Sequence, residues 1–251
     1  MIAYFVRSQR TLAGFWSLLI YTLVHLRVLR IRPVTTVFER QIYFTGIEAL
    51  KLVAMLGLLL GTTFAITATS MLGVNELSMR TMVLVQVGEL GPMAAAIIVI
   101  ARSGVAMAAE LALMQTRDET AYLCLMRIPP LDYLVVPRVA AATLSLFALT
   151  VYFQTVAVAG GLATSALFQN ATFVEQLGRF FSAVTMPDIF VAAGKSVLFG
   201  LAIATVSCFH GLDVGRSATA IPIATVRAVV QGLIAVFLID GAVAYARYGL
   251  L

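Results

Sequence analysis

The chain has 251 residues, of which 61% are hydrophobic and 12% are charged, and its mean hydropathy is +0.99. A soluble domain carries about 25% charged residues, so this composition excludes a soluble protein and indicates a one-domain integral membrane protein. The formal net charge of +5 comes almost entirely from arginines that are concentrated toward the N-terminus. The positive-inside bias places such arginines in the cytoplasm, and nucleic-acid binding is the wrong interpretation of that charge.

The N-terminal segment is predicted to form a helix that lies in the membrane interface. Apolar residues between 12 and 26 recur at helical spacing, with arginines at both ends, and the run is short for a span. A short transmembrane helix is the alternative. Within a single domain of residues 1–251, we therefore assign 1–48 to a cytoplasmic or interfacial N-terminal helix and 49–251 to a transmembrane core.

Five transmembrane spans are predicted from long apolar runs. They cover residues 52–74, 81–115, 135–164, 189–208 and 224–246. Residues 117–133 are predicted to form a short helix outside the membrane, and 168–182 an amphipathic helix in the opposite interface. With the N-terminus in the cytoplasm, the 117–133 and 210–222 connections are cytoplasmic and the C-terminus lies outside.

Three charged residues lie at similar depth within three of these spans: Glu89, Lys195 and Asp240. At 1.5 Å per residue, each is about 10 to 12 Å from the same end of the membrane. Ionisable side chains inside a membrane are costly and mark functional sites. The sequence therefore predicts a polar cluster that faces a cavity, and a salt bridge that only locks helices together is a compatible alternative.

A proline interrupts the second span beside this cluster. Pro92 has no N–H to donate to the carbonyl of Gly88, so we expect a helix break that lines the cavity at Gly88, Gly91 and Pro92. Arg102 and Glu110 in the same span are assigned to a buried charge network. They lie eight residues apart on different faces of the helix, so we expect no direct pairing and expect Arg102 to contact another helix or a second subunit.

No pattern of an enzyme is found in the sequence. Gly194-Lys195-Ser196 is similar to the end of a phosphate-binding loop, but Ile189 stands where that motif requires glycine. Cys124 and Cys208 have no metal-ligand spacing. The sequence predicts neither a catalytic residue nor a metal or cofactor on this chain.

An ordered set of motifs is similar to a known family. The motifs are Glu89-Leu90-Gly91-Pro92, Arg102-x-Gly104, Glu110-Leu111-x-x-Met114, Val136-Pro137-Arg138, Lys195-Ser196-Val197-x-Phe199, Ala224-Thr225-x-Arg227 and Asp240. From about residue 41 to the C-terminus, the chain resembles the MlaE/YrbE permeases. These are membrane subunits of ABC transporters that work with MCE-domain lipid-binding proteins.

The resemblance implies an all-α integral membrane protein with the MlaE-type ABC permease fold: an N-terminal interfacial helix plus five transmembrane helices. It implies a homodimer in the bacterial inner membrane, a cytoplasmic ABC ATPase that holds ATP and Mg, and a periplasmic MCE-domain partner. The cargo would be phospholipid or a similar lipid, in support of outer-membrane lipid asymmetry. The N-terminus would be cytoplasmic and the C-terminus periplasmic.

The resemblance also implies roles for particular residues. Glu89, Lys195 and Asp240 would lie at the lipid headgroup. Residues of the 117–133 segment would couple to the ATPase: Arg117, Asp118, Glu119 and Arg127. Family members often have arginine where this chain has Gly88, which leaves Lys195 as the nearest substitute for a cation that contacts phosphate.

Two other function classes stay open. An ion-coupled secondary transporter would use Glu89, Glu110 and Asp240 as proton sites, although the chain has no internal repeat of the broken segment. A purely structural scaffold subunit is the third class. Dependence on an ATPase separates the first two, and bound lipid separates both from the third.

Overall fold

The computed structural model describes residues 2–73, 76–169, 173–215, 217 and 219–249, and they form helices and connecting turns without a strand. The α-helices are α1 Ile2–Val24, α2 Arg32–Thr45, α3 Leu50–Leu72, α4 Glu76–Met82, α5 Gly91–Val99, α6 Val105–Thr116, α7 Glu119–Leu125, α8 Val136–Gln169, α9 Phe173–Ala183, α10 Met186–Leu212 and α11 Ala220–Tyr248. Three π-helical stretches join them, at Val83–Leu90, Ile100–Gly104 and Leu131–Val135.

Among the described residues, five helical runs are long and apolar enough to cross a membrane, which agrees with the predicted number. They are Arg32–Met71, Ser78–Thr116, Leu131–Ala166, Met186–Leu212 and Ala220–Arg247. Most extend beyond the predicted spans, because the polar residues at their ends continue the same helix. The all-α membrane architecture expected from the sequence is therefore correct.

The first 48 residues form two helices where the sequence predicted one. A short 3₁₀ turn, Leu26–Arg30, separates α1 from α2. Pro33 lies in the first turn of α2, where a backbone N–H has no partner within the helix and can be absent. The helix α1 packs on α10, with the Phe15 and Phe209 ring centroids 4.3 Å apart. The expected boundary at residue 48 falls inside the first helical run, at a 3₁₀ turn between α2 and α3.

The long helix α8 lies at the centre and packs closely on α3. A Cβ added at Gly61 would lie 2.1 Å from the backbone oxygen of Ala157, and one at Gly57 would lie 3.2 Å from that of Phe153. Small residues allow such close approach of membrane helices. Gly57 and Gly61, four residues apart, thus form a close contact between two helices of the same chain.

Of the amphipathic helix predicted at 168–182, the part from residue 173 is present as α9. Residues 168 and 169 belong to α8, and 170–172 lie outside the described residues. In α9, Phe180 is buried against Val83, Val87 and Leu162, whereas Phe181 is exposed. The helix therefore rests on the ends of the second and third spans, near the start of α10, where several charged residues meet.

Candidate functional site

The predicted polar cluster at Glu89, Lys195 and Asp240 is present, and we call it the deep cluster. Lys195 Nζ donates to Asp240 Oδ1 at 2.9 Å and to Glu89 Oε2. The lysine side chain is 0% exposed, whereas the side chains of Glu89 and Asp240 are 27% and 18% exposed. A buried ammonium requires such partners, so the structure brings the three predicted residues together as ion pairs.

The deep cluster carries more acceptor capacity than its lysine uses. Two carboxylates and one ammonium give a formal charge of −1 at neutral pH. Glu89 Oε1 is occluded from solvent, and no donor among the described residues reaches it. The cluster is therefore suited to accept a further donor or cation, and poorly suited to accept an anion.

A second cluster lies at the ends of the same spans, and we call its three residues, Arg80, Asp188 and Arg247, the end cluster. Arg80 Nη1 donates to Asp188 Oδ2 at 2.6 Å, and Arg247 Nη2 donates to Asp188 Oδ1. Asp188 is fully buried, and Arg80 keeps 35% of its side chain exposed. Two guanidinium groups and one carboxylate give this cluster a formal charge of +1.

The sequence reasoning missed the end cluster because it treated these residues as ordinary ends of spans. The spacing of the charged residues along α10 and α11 does indicate this cluster. Asp188 and Lys195 lie seven residues apart on α10, as do Asp240 and Arg247 on α11. Seven residues are about two helical turns, which keeps both on one face about 10 Å apart.

The two clusters approach each other at Gly88. A Cβ at this glycine would lie 3.5 Å from Arg247 Nη1, and Glu89 is the next residue. Lys195, the expected substitute for the family's arginine, is engaged deeper in the protein. Arg247 is the cation that lies beside Gly88, so the expectation for Lys195 was wrong in this respect.

Pro92 does not break the second span, which corrects the expected helix break at Gly88, Gly91 and Pro92. The backbone before it is π-helical, and the Gly91 N–H donates to the oxygen of Gln86, five residues back. In this register the proline leaves the carbonyl of Val87 without its donor, one residue before the predicted position. The helix continues because another span supplies the missing donor.

That donor is Gln154 of α8, which the sequence reasoning did not identify. Its Nε2 donates to the Val87 oxygen at 2.8 Å. Gly91 makes this possible, because a Cβ there would lie 2.8 Å from Gln154 Cγ. Gly91 and Pro92 thus create a docking position for a side chain of α8 beside the deep cluster.

Arg102 and Glu110 do not form one buried network, which corrects their joint assignment. Arg102 pairs with Glu48 at the turn between α2 and α3, and its guanidinium carbon lies 5.1 Å from the centroid of the Phe44 ring. Glu110 is exposed and accepts from Arg138 Nη2 at 3.2 Å. The two do not pair with each other, and Arg102 contacts another helix, as predicted.

The predicted coupling residues lie on and around the short helix α7. Arg117 and Glu119 form an exposed pair at 3.9 Å, and Asp118 and Arg127 have left-handed backbones with φ of 56° and 59°. These turns set α7 apart from the spans on both sides. Apolar side chains are strongly exposed here as well: Tyr122, Leu125 and Met126.

A groove of about 400 Å³ lies at the same side of the molecule, between α1 and the end of α10. Tyr21 lines it and donates to Asp132 Oδ1 at 2.8 Å, at the end of the predicted coupling segment 117–133. Burial raises the pKa of Tyr21, and the hydrogen bond with Asp132 raises that pKa further. The N-terminal helix is thus fastened to the start of the third span.

Comparison with known proteins supports the interpretation of these motifs. The family described as permease MlaE matches residues 38–246. A probable ABC transporter permease protein of Rickettsia typhi is 30% identical over 202 residues, which cover 79% of this chain and 78% of that protein.

Two further relatives are longer than the matched region. The chloroplastic protein TRIGALACTOSYLDIACYLGLYCEROL 1 of Arabidopsis thaliana is 32% identical over 208 residues, which cover 80% of this chain and 58% of that protein. A probable ABC transporter permease protein of Synechocystis is 35% identical over 150 residues, which cover 60% of this chain and 57% of that protein. Because the family match extends across nearly all of the five spans, this chain belongs to the MlaE permease family and is a multi-pass transport subunit.

Proposed function

We propose that this chain is the permease subunit of an ABC transporter that moves phospholipid or a similar lipid between the inner membrane and a periplasmic MCE-domain protein. A separate cytoplasmic ATPase drives the movement. The deep cluster is the observation that carries this proposal, because it places partly exposed charges from three spans at membrane depth. One relative has a lipid in its name, which supports the cargo class.

The surroundings of the deep cluster suit an amphiphile. Asp240 lies on α11 among strongly exposed apolar side chains, including Ile234, Phe237 and Leu238. A polar group within an apolar wall matches a lipid, whose headgroup needs partners and whose tails do not. In this proposal Glu89, Lys195 and Asp240 form the headgroup site: the partly exposed Glu89 and Asp240 contact the headgroup and the buried Lys195 holds them together. The α11 surface contacts the tails.

The ATPase docks on the α7 region in this proposal. The exposed Tyr122, Leu125 and Met126 provide apolar contact area, and the charged Arg117, Asp118, Glu119 and Arg127 surround it. Large apolar side chains with a charged rim are typical of protein interfaces. This chain would hold no nucleotide, and ATP and Mg would be bound by the ATPase.

The proposed assembly is a homodimer in the bacterial inner membrane. With the N-terminus in the cytoplasm and the C-terminus in the periplasm, α7 faces the ATPase and the end cluster faces the MCE partner. The second copy would close the lipid cavity beside the deep cluster. The ion-coupled alternative has less support, because Glu110 pairs with Arg138 and is not connected to Glu89 and Asp240 by any ion pair among the described residues.

Purification of the chain from native membranes in mild detergent, followed by mass spectrometry of proteins and lipids, tests this proposal. We expect an ABC ATPase, an MCE-domain protein and phospholipid to be recovered together. Transfer of a labelled phospholipid from proteoliposomes should then require hydrolysable ATP. Recovery without an ATPase in several detergents, with lipid transfer driven by a proton gradient, would overturn the proposal in favour of the ion-coupled carrier.

A further inference from the structure

The two clusters are opposite in charge and similar in construction. In both, a fully buried residue of α10 lies between residues of α11 and the second span: Lys195 between two carboxylates and Asp188 between two guanidinium groups. The deep cluster carries −1 and the end cluster +1 in formal charge. The six groups together are neutral, but their charge is separated along the spans.

From this charge separation we infer that the site selects a zwitterionic headgroup with a primary amine, such as phosphoethanolamine. This inference rests on the proposed function, because it presupposes a lipid cargo. The ammonium group binds at Glu89 and Asp240, and the phosphate binds at Arg80 and Arg247. An ethanolamine phosphate adds no net charge to a network that is already neutral.

The deep cluster fits the ammonium and not the phosphate. Lys195 is completely buried and directed at its two carboxylates, so it cannot turn to an anion without leaving them unpaired. Glu89 and Asp240 keep exposed area and acceptor capacity. An ammonium group supplies three N–H donors for those oxygens.

The end cluster fits the phosphate. Guanidinium groups bind phosphate oxygens through paired N–H donors, and Asp188 holds two of them together. Arg247 Nη1 approaches the position of a Cβ at Gly88 to 3.5 Å, next to the backbone of Glu89. Arg247 and the carboxylate-bearing Glu89 are therefore neighbours at Gly88, which suits a phosphate and an amine that are joined by only two carbons.

An anionic headgroup fits the same network poorly. Phosphatidylglycerol has no ammonium group, so its headgroup leaves the deep carboxylates without the cation and adds an uncompensated charge. An unpaired charge inside a protein is costly. We therefore expect phosphatidylethanolamine to bind about tenfold more tightly than phosphatidylglycerol.

The test uses the full-length transporter in nanodiscs that contain equal amounts of phosphatidylethanolamine and phosphatidylglycerol with identical acyl chains. Bound lipid is then measured by native mass spectrometry after detergent extraction. The wild type should be enriched in phosphatidylethanolamine over the bulk mixture. Asp240→Asn removes one deep charge and should reduce the enrichment to about the bulk ratio, whereas Glu39→Gln, on an exposed position of α2, should leave it unchanged.

Two further variants separate the parts of the inference. Glu89→Gln repeats the charge change of Asp240→Asn at the other carboxylate and should have the same effect. Arg247→Gln should lower total phospholipid occupancy but leave the enrichment in phosphatidylethanolamine unchanged. Bound phospholipid with no headgroup preference in the wild type would overturn this inference and leave the lipid-transport proposal intact, whereas absence of bound phospholipid would overturn both.

Discussion

The deep cluster and the end cluster are built from the same three spans, but their central residues are satisfied differently. Asp188 accepts from two arginines and also from the Thr185 N–H at 3.1 Å and the Thr185 hydroxyl at 2.8 Å. It lies in the first turn of α10, where the helix dipole favours an anion. Among the described residues, Lys195 pairs only with the carboxylates of Glu89 and Asp240.

The difference shows how the central residue of one cluster can be mainly structural and that of the other mainly functional. Asp188 is held by its own helix end, by α11 and by the second span, so the end cluster fixes the relative positions of three spans. The deep cluster has no such local support and retains acceptor capacity. We therefore expect changes at Asp188 to affect mainly stability, and changes at Lys195 to affect mainly function.

Asp188→Ala should give the largest loss of stability. It leaves two arginines without their shared carboxylate, and removing one partner of a buried ion pair costs about 3–5 kcal/mol. Thermal unfolding in detergent measures this effect, with Glu39→Ala as an exposed control. A change in stability no larger than that of the control would remove the structural role assigned to the end cluster.

Lys195→Met should destabilise the protein less, by about 1–2 kcal/mol, because the partly exposed carboxylates of Glu89 and Asp240 can be hydrated. Its main effect should be on the amount of phospholipid that purifies with the chain. Lys51→Met is a matched control, since Lys51 is the other lysine of the chain and is exposed on α3. Equal lipid content in the two variants would contradict the functional role of the deep cluster.

Gln154→Ala tests a neutral polar contact beside the deep cluster. It leaves the Val87 carbonyl unpaired, which costs about 1–3 kcal/mol. Gly91→Ala should have a similar cost, because the new Cβ would collide with Gln154 Cγ. Since both changes disrupt the same contact, the double variant should be less destabilised than the sum of the two. Additive losses would show that Gln154 does not satisfy the helix at Pro92.

Glu119→Ala should have the smallest effect on stability. Its pair with Arg117 is exposed and 3.9 Å long, and such pairs contribute about 0.2–1 kcal/mol or less.

Leu125→Asp, on the exposed face of α7, should likewise leave unfolding nearly unchanged but reduce the amount of ATPase that purifies with the chain. Unchanged ATPase recovery would contradict docking at α7.

The deep cluster could be predicted from the sequence because helical rise converts residue number into depth, and charges at one depth seek each other. The π-helical register before Pro92 could not be predicted in this way, since it depends on a side chain from α8. The partners of Arg102 and Glu110 could not be predicted either, because Glu48 and Arg138 belong to other spans. The end cluster could have been predicted, since its charged residues lie seven residues from those of the deep cluster on both α10 and α11.

ATP-dependent transfer of phospholipid from proteoliposomes to an acceptor protein, with the complete transporter, tests the central role of the deep cluster most directly. Wild type, Lys195→Met and Lys51→Met are compared at equal amounts of folded protein and equal ATPase content. The account predicts that transfer by Lys195→Met falls to the level seen without ATP, while Lys51→Met retains the wild-type rate. Wild-type transfer by Lys195→Met would show that the deep cluster only holds the spans together.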